Sequence, residues 1–392
     1  MKILVIHCAY LFRGGEDTVV EEETMLLKSQ EHVVEILRFS NKGRQWLKLL
    51  QLPFNLASYI VTRKKIRAFK PDVVHIHNLH FAASPSVVYA VKHSHKPMVM
   101  TLHNFRLLCP SGILFENGKL FLESLSEKFP VTAVKKAVYK NSRITTFWVA
   151  AVSTMHQWLN TFTVPDRIIC LTEHSRQLFL SSRLKFKPGQ LVVKPNFITP
   201  PNKEMMPRGN HFLFVGRLTE EKGIMLLLDT FALSNLTLLI AGEGPLKTTV
   251  QQYATDYNNI YYLGNLDTNQ VTEAMQAATA LVFPSEWYEG MPLTIIEAFS
   301  SGLPVIASDL GAMQAMVADG KTGFLFEPYN KADFQKALYK WAHFDNYHRE
   351  TFRQNARATY NLLYSPQKNL EQLTNIYRSV INCDRPPILT IA

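Results

Sequence analysis

Residues 283–308 read FPSEWYEGMPLTIIEAFSSGLPVIAS and combine the end of an apolar strand, a loop, a short helix and a second apolar strand. Residues 293–301 contain neither Gly nor Pro, and Gly302 follows them, which predicts a helix over these positions. In a parallel sheet, such a unit places its loop at the carboxyl edge, where ligands usually bind. The stretch therefore predicts an α/β fold with a ligand site at the sheet edge.

Two carboxylates lie eight positions apart in this stretch, Glu289 in the loop and Glu297 inside the helix. The helix start directs its unpaired amides, and the positive end of its dipole, toward whatever lies beside Glu289. Amides suit a phosphate and carboxylates suit a polyhydroxyl group, and a nucleotide sugar carries both. The alternative for Glu297 is a solvated glutamate on a surface helix.

The overall composition is that of an ordinary globular protein, with 47% hydrophobic and 19% charged residues in a chain of 392. This length predicts two domains, and no apolar run is long enough to span a membrane. The start, MKILVIHCAY, is short and alternating in its apolar part, so we expect a buried strand rather than a signal peptide. The four cysteines, at positions 8, 109, 170 and 383, show no CxxC pairing or metal spacing, which predicts reduced thiols in the cytosol.

The formal net charge of +10 is unevenly distributed along the chain. Residues 1–195 contain 27 Lys+Arg and 13 Asp+Glu, a balance of +14, whereas residues 196–392 contain 15 and 19, a balance of −4. The basic half suggests an anionic partner, and both nucleic acid and an anionic membrane surface are compatible with it.

Alternating strands and helices in both halves predict two doubly wound parallel sheets with a ligand cleft between them. A helix is predicted over residues 16–29. Strands are predicted at residues 2–7, 33–39, 73–77, 98–103, 147–151 and 167–171, and then at 212–215, 236–241, 260–263, 280–283 and 305–307.

The domain boundaries follow from a break in this pattern. Residues 192–208 contain four prolines and little periodicity, which indicates a linker. We therefore predict a first domain over residues 1–195, a second over 196–366, and a helical tail over 367–392. The apolar stripe of that tail is compatible with packing on either domain.

Glycines and bases at two predicted strand ends indicate phosphate binding. Gly216 permits a tight turn, Arg217 offers a planar fork to phosphate oxygens, and Lys222 offers a point charge. Gly15, after Gly14 and before a helix, would allow the backbone to approach a ligand closely. The alternatives are a plain tight turn and a loop with two solvated bases.

Histidines at positions 75, 77, 80 and 103 cluster at predicted strand ends of the first domain. His75 and His77 lie on one face of a strand, as metal ligands can. However, no Cys or acidic partner except Asp72 has a ligand spacing, so no metal site is predicted. His103 is expected to point into the cleft and contact a substrate hydroxyl or phosphate.

Residues 42–70 mix bases with Trp46, leucines and Phe54. Such a mixture can lie on an anionic bilayer surface, and the alternative is a pair of ordinary helices with snorkelling bases. The basic balance of the first half favours the membrane.

Four motifs together resemble the retaining glycosyltransferases of family 4, which have the GT-B fold. The motifs are E-G-x-P-L-x-x-I-E-A at 289–298, G-R-L-x-x-x-K-G at 216–223, G-E-G-P at 242–245 and Gly14-Gly15-Glu16. They occur in the family's order over nearly the whole chain. Residues 101–112, TLHNFRLLCPSG, are also similar to bacterial members that build capsule, O-antigen or exopolysaccharide.

The resemblance implies a role for each candidate residue. Glu289 would contact the donor sugar near the transferring carbon, and His103 would line the sugar site; both are predicted to be catalytic. Glu297 would hold the ribose hydroxyls, while Arg217 and Lys222 would neutralise the departing diphosphate. The remaining predicted donor-binding residues are Gly15, Gly216, Gly290, Met291 and Leu293.

The resemblance also implies the reaction, which is transfer of a sugar, with retention, from a UDP-, GDP- or ADP-sugar to a glycan or lipid-linked acceptor. It implies no cofactor, no metal and no nucleic acid, and a cytoplasmic protein in peripheral contact with the anionic inner face of the membrane. One departure from the family's E-G-F-G is Pro292, which removes one amide donor. The competing interpretations are a nucleotide-sugar epimerase and a basic nucleic-acid-binding protein.

Overall fold

The structure, a computed structural model, describes residues 1–9, 14–200 and 208–382. The main sheet of the first domain is parallel throughout, in the strand order β2-β1-β3-β4-β7-β8. The strands are β1 (Lys2–Ala9), β2 (Val33–Ser40), β3 (Val73–Ile76), β4 (Met98–Leu102), the hairpin β5 (Phe115–Glu116) and β6 (Lys119–Leu120), β7 (Arg167–Cys170) and β8 (Leu191–Val193). The helices are α1 (Gly15–Ser29), α2 (Gln45–Leu50), α3 (Leu56–Phe69), α4 (Ser86–Lys92), α5 (Glu123–Ser126), α6 (Val131–Lys135), α7 (Arg143–Trp158) and α8 (Glu173–Leu180).

The second domain repeats this plan with a parallel sheet in the order β11-β10-β9-β12-β13-β14. Its strands are β9 (Phe212–Val215), β10 (Leu238–Ala241), β11 (Ile260–Gly264), β12 (Ala280–Phe283), β13 (Val305–Ser308) and β14 (Gly323–Phe326). Its helices are α9 (Ile224–Ala232), α10 (Lys247–Asp256), α11 (Thr268–Ala277), α12 (Leu293–Ser300), α13 (Gly311–Met316), α14 (Lys331–Ala342) and α15 (Asn346–Thr359). The predicted pair of doubly wound domains is therefore confirmed.

Both sheets have apolar residues on each face, as parallel sheets covered by helices require. Along β1, for example, Leu4 and Ile6 join the core on one face, whereas Ile3 and Val5 join the core on the other. The carboxyl ends of β1, β3 and β4 consequently meet at one edge of the first sheet. The corresponding edge of the second sheet carries the loop that precedes α12.

Two predictions of secondary structure are wrong. Residues 147–151 were predicted as a strand but lie in the middle of α7, where Ser142 caps the helix by accepting a hydrogen bond from the amide of Thr145. The linker predicted over residues 192–208 begins inside β8, the edge strand of the first sheet. Apolar runs of this length occur in both helices and strands, and tertiary packing decides between them.

The tail forms helix α16 (Pro366–Ile381), which packs on the first domain rather than on the second. Leu373, Tyr377 and Val380 join the core of the first sheet on the face that contains Ile3 and Val5. The chain therefore crosses back from the second domain to the first. Residues 383–392, with Cys383, lie outside the described residues, as do residues 201–207 of the predicted linker.

Among the described cysteines, Cys8, Cys109 and Cys170 are buried free thiols. None of the helices within residues 1–9, 14–200 and 208–382 has the length and apolar character needed to cross a bilayer.

Candidate functional site

Glu289 is buried in the loop between β12 and α12, where three donors meet its Oε1. Lys222 Nζ lies at 2.5 Å, Ser285 Oγ at 2.7 Å and Trp287 Nε1 at 2.8 Å. A buried carboxylate is stabilised when charged and neutral donors surround it in this way. The loop therefore holds Glu289 in one orientation at the sheet edge.

Lys222 reaches Glu289 because the backbone turns sharply immediately after it. Gly223 has φ +68°, and a Cβ at this position would lie 2.0 Å from the carbonyl oxygen of Pro284, so only glycine fits. The ammonium of Lys222 also faces the rings of Phe283 and Trp287, at 5.2 and 5.7 Å from their centroids. Aromatic faces attract a cation at these distances, which fixes Lys222 further.

The two domains touch at the glycine that follows Glu289. A Cβ on Gly290 would lie 2.3 Å from the carbonyl oxygen of His103, and one on Gly15 would lie 3.3 Å from Cδ1 of Leu293. Gly15 and His103 belong to the first domain, whereas Gly290 and Leu293 belong to the second. Four predicted site residues therefore meet at the same junction between the domains.

Glu297 lies half-buried on α12, and burial raises its pKa to about 6. Among the described residues, no hydrogen bond or ion pair engages its carboxylate. A half-buried carboxylate in this state can accept hydrogen bonds from ligand hydroxyls.

Gly216 and Arg217 lie further along the sheet edge, at the end of β9. The side chain of Arg217 is 66% exposed, and its Nη2 lies 3.7 Å from Oε1 of Glu221, so it is not held against Glu289 as Lys222 is. Gly216 and Arg217 line a cavity of about 230 Å³ together with Gly242 and Glu243 of the G-E-G-P turn. The two predicted phosphate-binding bases therefore lie in different environments. Lys222 is fixed against Glu289, whereas Arg217 is exposed at the rim of a cavity.

Met291 has a structural contact that the sequence did not indicate. Its side chain is 8% exposed, and its Sδ accepts a hydrogen bond of 3.2 Å from the amide of Asn196, in the segment that follows the first domain. The side chain therefore packs at the junction of the domains.

The histidine cluster has an acidic member that the sequence pattern does not indicate. Glu23 of α1 lies with His75 and His77 in a group whose ligand-type atoms are all within 4.8 Å of one another. Glu23 is far from the histidines in sequence, so the sequence gives no direct sign of this contact. The one available signal is that position 23 lies on the inner, buried face of α1. Glu23 Oε1 pairs with Lys194 Nζ at 2.5 Å, and His77 Nε2 lies 3.5 Å from Glu23 Oε2.

Hydrogen bonds already occupy many of the nitrogens that a metal would need. His75 Nδ1 lies 2.8 Å from the hydroxyl of Tyr377 and its Nε2 lies 2.8 Å from Oγ1 of Thr101. His77 Nδ1 lies 3.1 Å from Nε2 of His103. Together with the ammonium of Lys194, these side chains form a polar network. It extends from Tyr377 of α16 through His75 and His77 to His103.

Burial keeps these imidazoles neutral. Desolvation lowers the pKa of His75 and His77 well below the usual value and lowers the pKa of His103 to about 3. Burial by itself would raise the pKa of Glu23, but the charge and the hydrogen bond of Lys194 act in the opposite direction, and the pKa is lowered. The network therefore contains one fixed ion pair and several neutral rings.

Comparison with known families divides the chain into two matches. Residues 13–200 match the model of "Glycosyltransferase Family 4", and residues 201–359 match the model of "Glycosyl transferases group 1".

Two relatives illustrate the similarity in sequence. The D-rhamnosyltransferase WbpZ of Pseudomonas aeruginosa is 30% identical over 158 residues, which are 39% of this chain and 41% of that protein. The UDP-Gal:alpha-D-GlcNAc-diphosphoundecaprenol alpha-1,3-galactosyltransferase of Escherichia coli is 29% identical over 215 residues, or 48% of this chain and 54% of that protein. The chain thus spans about half the length of these relatives.

Solved structures match nearly the whole chain. Sucrose-phosphate synthase (tll1590) from Thermosynechococcus elongatus has a TM-score of 0.69 at 17% identity and covers 96% of this chain and 98% of its own. Anabaena Alr3699/HepE in complex with UDP has a TM-score of 0.68 at 17% identity, with 97% and 100% covered. These likenesses concern the fold, and they confirm the predicted GT-B architecture.

Proposed function

We propose that this chain, a GT-B protein whose two halves match glycosyltransferase family models, transfers a sugar from a nucleoside diphosphate sugar to an acceptor hydroxyl with retention. The observation that carries the proposal is the buried pairing of Glu289 with Lys222, in a loop that meets His103 of the first domain across the cleft. Sugar hydroxyls and a diphosphate require these two kinds of charge side by side.

The chemical difficulty in such a transfer is the negative charge that collects on the departing diphosphate while the sugar becomes cationic. Fixed cations and helix amides stabilise that charge because they need no reorganisation as it forms. Lys222 is already fixed, and the amino end of α12 faces the same loop. We propose that the diphosphate of the bound donor replaces Glu289 as the ion-pair partner of Lys222. Glu289 then lies free beside the reacting carbon of the sugar.

In a single step, retention requires that the acceptor attack from the face that the diphosphate leaves. In the proposed step the glycosidic bond to the phosphate oxygen breaks, the bond to the acceptor oxygen forms, and the departing phosphate takes the acceptor's proton. The donor is a UDP-, GDP- or ADP-sugar, and no cofactor takes part. Lys222 supplies the positive charge that the leaving group requires, and exposed Arg217 helps to bind the diphosphate of the donor.

A thermal-shift panel of UDP-, GDP- and ADP-sugars tests donor binding, since a ligand that binds only the folded state raises the melting temperature. Transfer is then measured with the stabilising donor, and the anomeric configuration of the product is read by NMR. Inversion would overturn the retaining mechanism. A new sugar nucleotide formed from donor alone would indicate an epimerase, and salt-dependent nucleic-acid binding without donor binding would indicate the third interpretation.

We also propose a lipid-linked acceptor and a peripheral membrane contact. The name of the Escherichia coli relative places its substrate on diphosphoundecaprenol, which supports this acceptor class by analogy. In this chain, α2, the segment that follows it and α7 expose a set of apolar side chains that we call the aromatic face. Its members are Trp46 (56% exposed), Leu50 (63%), Phe54 (46%), Ile144 (84%) and Phe147 (52%).

A hydrogen bond joins the two helices of the aromatic face, and bases lie beside it. Trp148 Nε1 donates a 2.7 Å hydrogen bond to the carbonyl oxygen of Leu49, which joins α7 to α2. Arg143 Nε donates to the carbonyl oxygen of Lys135, so basic residues of α6 and α7 lie together beside this face. Apolar side chains with flanking cations are the combination that binds an anionic bilayer surface.

Vesicle flotation tests this contact with phosphatidylglycerol and with phosphatidylcholine vesicles. We expect binding to the anionic vesicles only, and its loss in a Trp46→Ala/Phe147→Ala variant. Leu233→Ala is the matched control, because Leu233 is 69% exposed in the second domain, away from the aromatic face. Equal binding by the double variant and the control would contradict the proposal.

A further inference from the structure

We infer that Glu23 and His77 are positioning residues that fix the tautomer of His103, so that His103 presents an unprotonated Nδ1 to the interdomain cleft. The ligand that this nitrogen would meet, a hydroxyl of the donor sugar, rests on the proposed function. The tautomer itself rests only on the contacts of the buried network.

The contacts form one chain from a buried ion pair to the cleft. Lys194 Nζ lies 2.5 Å from Glu23 Oε1, His77 Nε2 lies 3.5 Å from Glu23 Oε2, and His77 Nδ1 lies 3.1 Å from His103 Nε2. The side chains of Lys194, Glu23 and His77 are at most 4% exposed. Water therefore does not compete for these groups, and each nitrogen must match its neighbour.

A neutral imidazole has one N–H and one lone pair, so the chain admits two arrangements. In the first, His77 directs Nε2–H toward the carboxylate of Glu23, accepts at Nδ1 from His103 Nε2–H, and leaves the Nδ1 lone pair of His103 free. In the second, every proton is reversed, and the lone pair of His77 Nε2 faces the carboxylate. A lone pair against a buried anion is repelled, so the first arrangement is the stable one.

No other neighbouring group among the described residues donates a hydrogen bond to Glu23 Oε2. This oxygen is buried and accepts no hydrogen bond from a described residue, and His77 Nε2 lies 3.5 Å from it. His75 uses both its nitrogens on Tyr377 and Thr101. His7, which also lies near the network, directs Nε2 to Oδ1 of Asp17 at 2.8 Å.

The tautomer determines what His103 can recognise. Its Nε2 is already engaged with His77, so the lone pair of Nδ1 is the polar group of the ring that is left for a ligand. A lone pair accepts a hydrogen bond from a hydroxyl and repels a phosphate oxygen. Between a substrate hydroxyl and a phosphate, the network therefore selects the hydroxyl as the partner of His103.

NMR of ¹⁵N-histidine-labelled protein tests the tautomer without any substrate. The signals of His103 are assigned by their loss in His103→Gln, and two-bond ¹H–¹⁵N correlations distinguish protonated from unprotonated nitrogens. We expect protonated Nε2 and unprotonated Nδ1 in the wild-type protein at neutral pH. A protonated Nδ1 there would overturn the inference, and this measurement requires no variant of the network to fold.

Variants then test the cause. Glu23→Gln removes the anion, and we expect the Nδ1 signal of His103 to move toward the protonated position. His77→Asn keeps an oxygen acceptor near the former Nδ1 and should retain the wild-type tautomer, whereas His77→Leu should lose it. Tyr377→Phe removes a buried hydrogen bond from His75 and serves as the control with unchanged His103 signals. An unchanged tautomer in folded Glu23→Gln would overturn the role of Glu23.

Kinetics separate this inference from the proposed function. With an active donor, Glu23→Gln should lower kcat/KM by roughly tenfold, the worth of one hydrogen bond. With the wild-type enzyme, a deoxy donor that lacks the contacted hydroxyl should have a kcat/KM roughly tenfold lower than the full donor. With Glu23→Gln, the two donors should have the same kcat/KM. If the tautomer is as inferred but no sugar nucleotide binds, the proposed function fails alone; if transfer occurs with a protonated Nδ1, the inference fails alone.

Discussion

Lys222 Nζ lies 2.5 Å from Glu289 Oε1, and both side chains are nearly buried, at 12% and 7% exposure. The pair joins the predicted phosphate-binding cation to the carboxylate predicted to contact the sugar. Each residue therefore stabilises the other before a ligand arrives. Removal of either partner leaves the other charge poorly solvated.

Glu289→Gln should retain the fold and lose most transfer activity. The amide keeps the shape of the carboxylate but not its charge, and loss of a preorganised group of this kind typically lowers kcat by roughly 10²–10³. The unpaired Lys222 should also lower the free energy of unfolding, by about 3 kcal/mol. Turnover and thermal melts measure the two effects.

Glu371→Gln is the matched control for that variant, because Glu371 is an exposed partner of Lys368 on α16. It should change neither turnover nor the melting temperature. Unimpaired turnover in Glu289→Gln would contradict the role assigned to Glu289.

Lys222→Met and Arg217→Ala should change different kinetic constants. Lys222 is fixed beside Glu289, so its loss should lower kcat, whereas exposed Arg217 should mainly raise KM for the donor, by roughly tenfold. Steady-state kinetics with the donor varied distinguish these effects. Equal changes in kcat for the two variants would show that Arg217 acts in the transition state as well.

Glu297 should link donor binding and stability to pH. Burial raises its pKa from the ordinary 4.5 to about 6, so its ionisation opposes folding. Below pH 4.5 the carboxyl is protonated in both the folded and the unfolded state and does not reduce the free energy of unfolding. As pH rises through about 6, its ionisation lowers the free energy of unfolding by about 2 kcal/mol. Glu297→Gln should therefore raise the free energy of unfolding at pH 8 and leave it unchanged at pH 4.

The same variant should weaken donor binding, because a carboxylate accepts stronger hydrogen bonds from ribose hydroxyls than an amide does. In the wild-type protein, donor affinity should fall as pH drops through about 6 and the carboxylate becomes protonated. Calorimetric titration at pH 5 and pH 8 measures both trends. Wild-type and variant affinities that follow the same pH profile would assign the titration to another group.

Gly290→Ala should disturb the junction of the domains more than Gly15→Ala. The new Cβ at position 290 would lie 2.3 Å from the backbone oxygen of His103, which cannot move without moving its strand end. The new Cβ at position 15 would meet only the Cδ1 of Leu293 at 3.3 Å, and that side chain can rotate. We expect a lower melting temperature and a larger radius of gyration for Gly290→Ala alone.

Many features of this protein follow from local sequence patterns. The strand at residues 212–215 and the strand at residues 280–283 were predicted with their observed bounds, because short β-branched and aromatic runs end there at polar or Gly-containing turns. The loop of Glu289 was predicted for the same reason. Residues 147–151 were not, since an apolar run inside an amphipathic helix resembles a strand over five positions.

The sequence by itself determined the two α/β domains and the residues at their strand ends, because hydrophobic periodicity and glycine placement act over a few neighbouring positions. Only the tertiary structure decided that α16 packs on the first domain and that Glu23 lies beside His77, since these contacts join residues that are far apart in the chain. The state of His103 depends on such contacts, because a buried imidazole takes its tautomer from the groups packed around it.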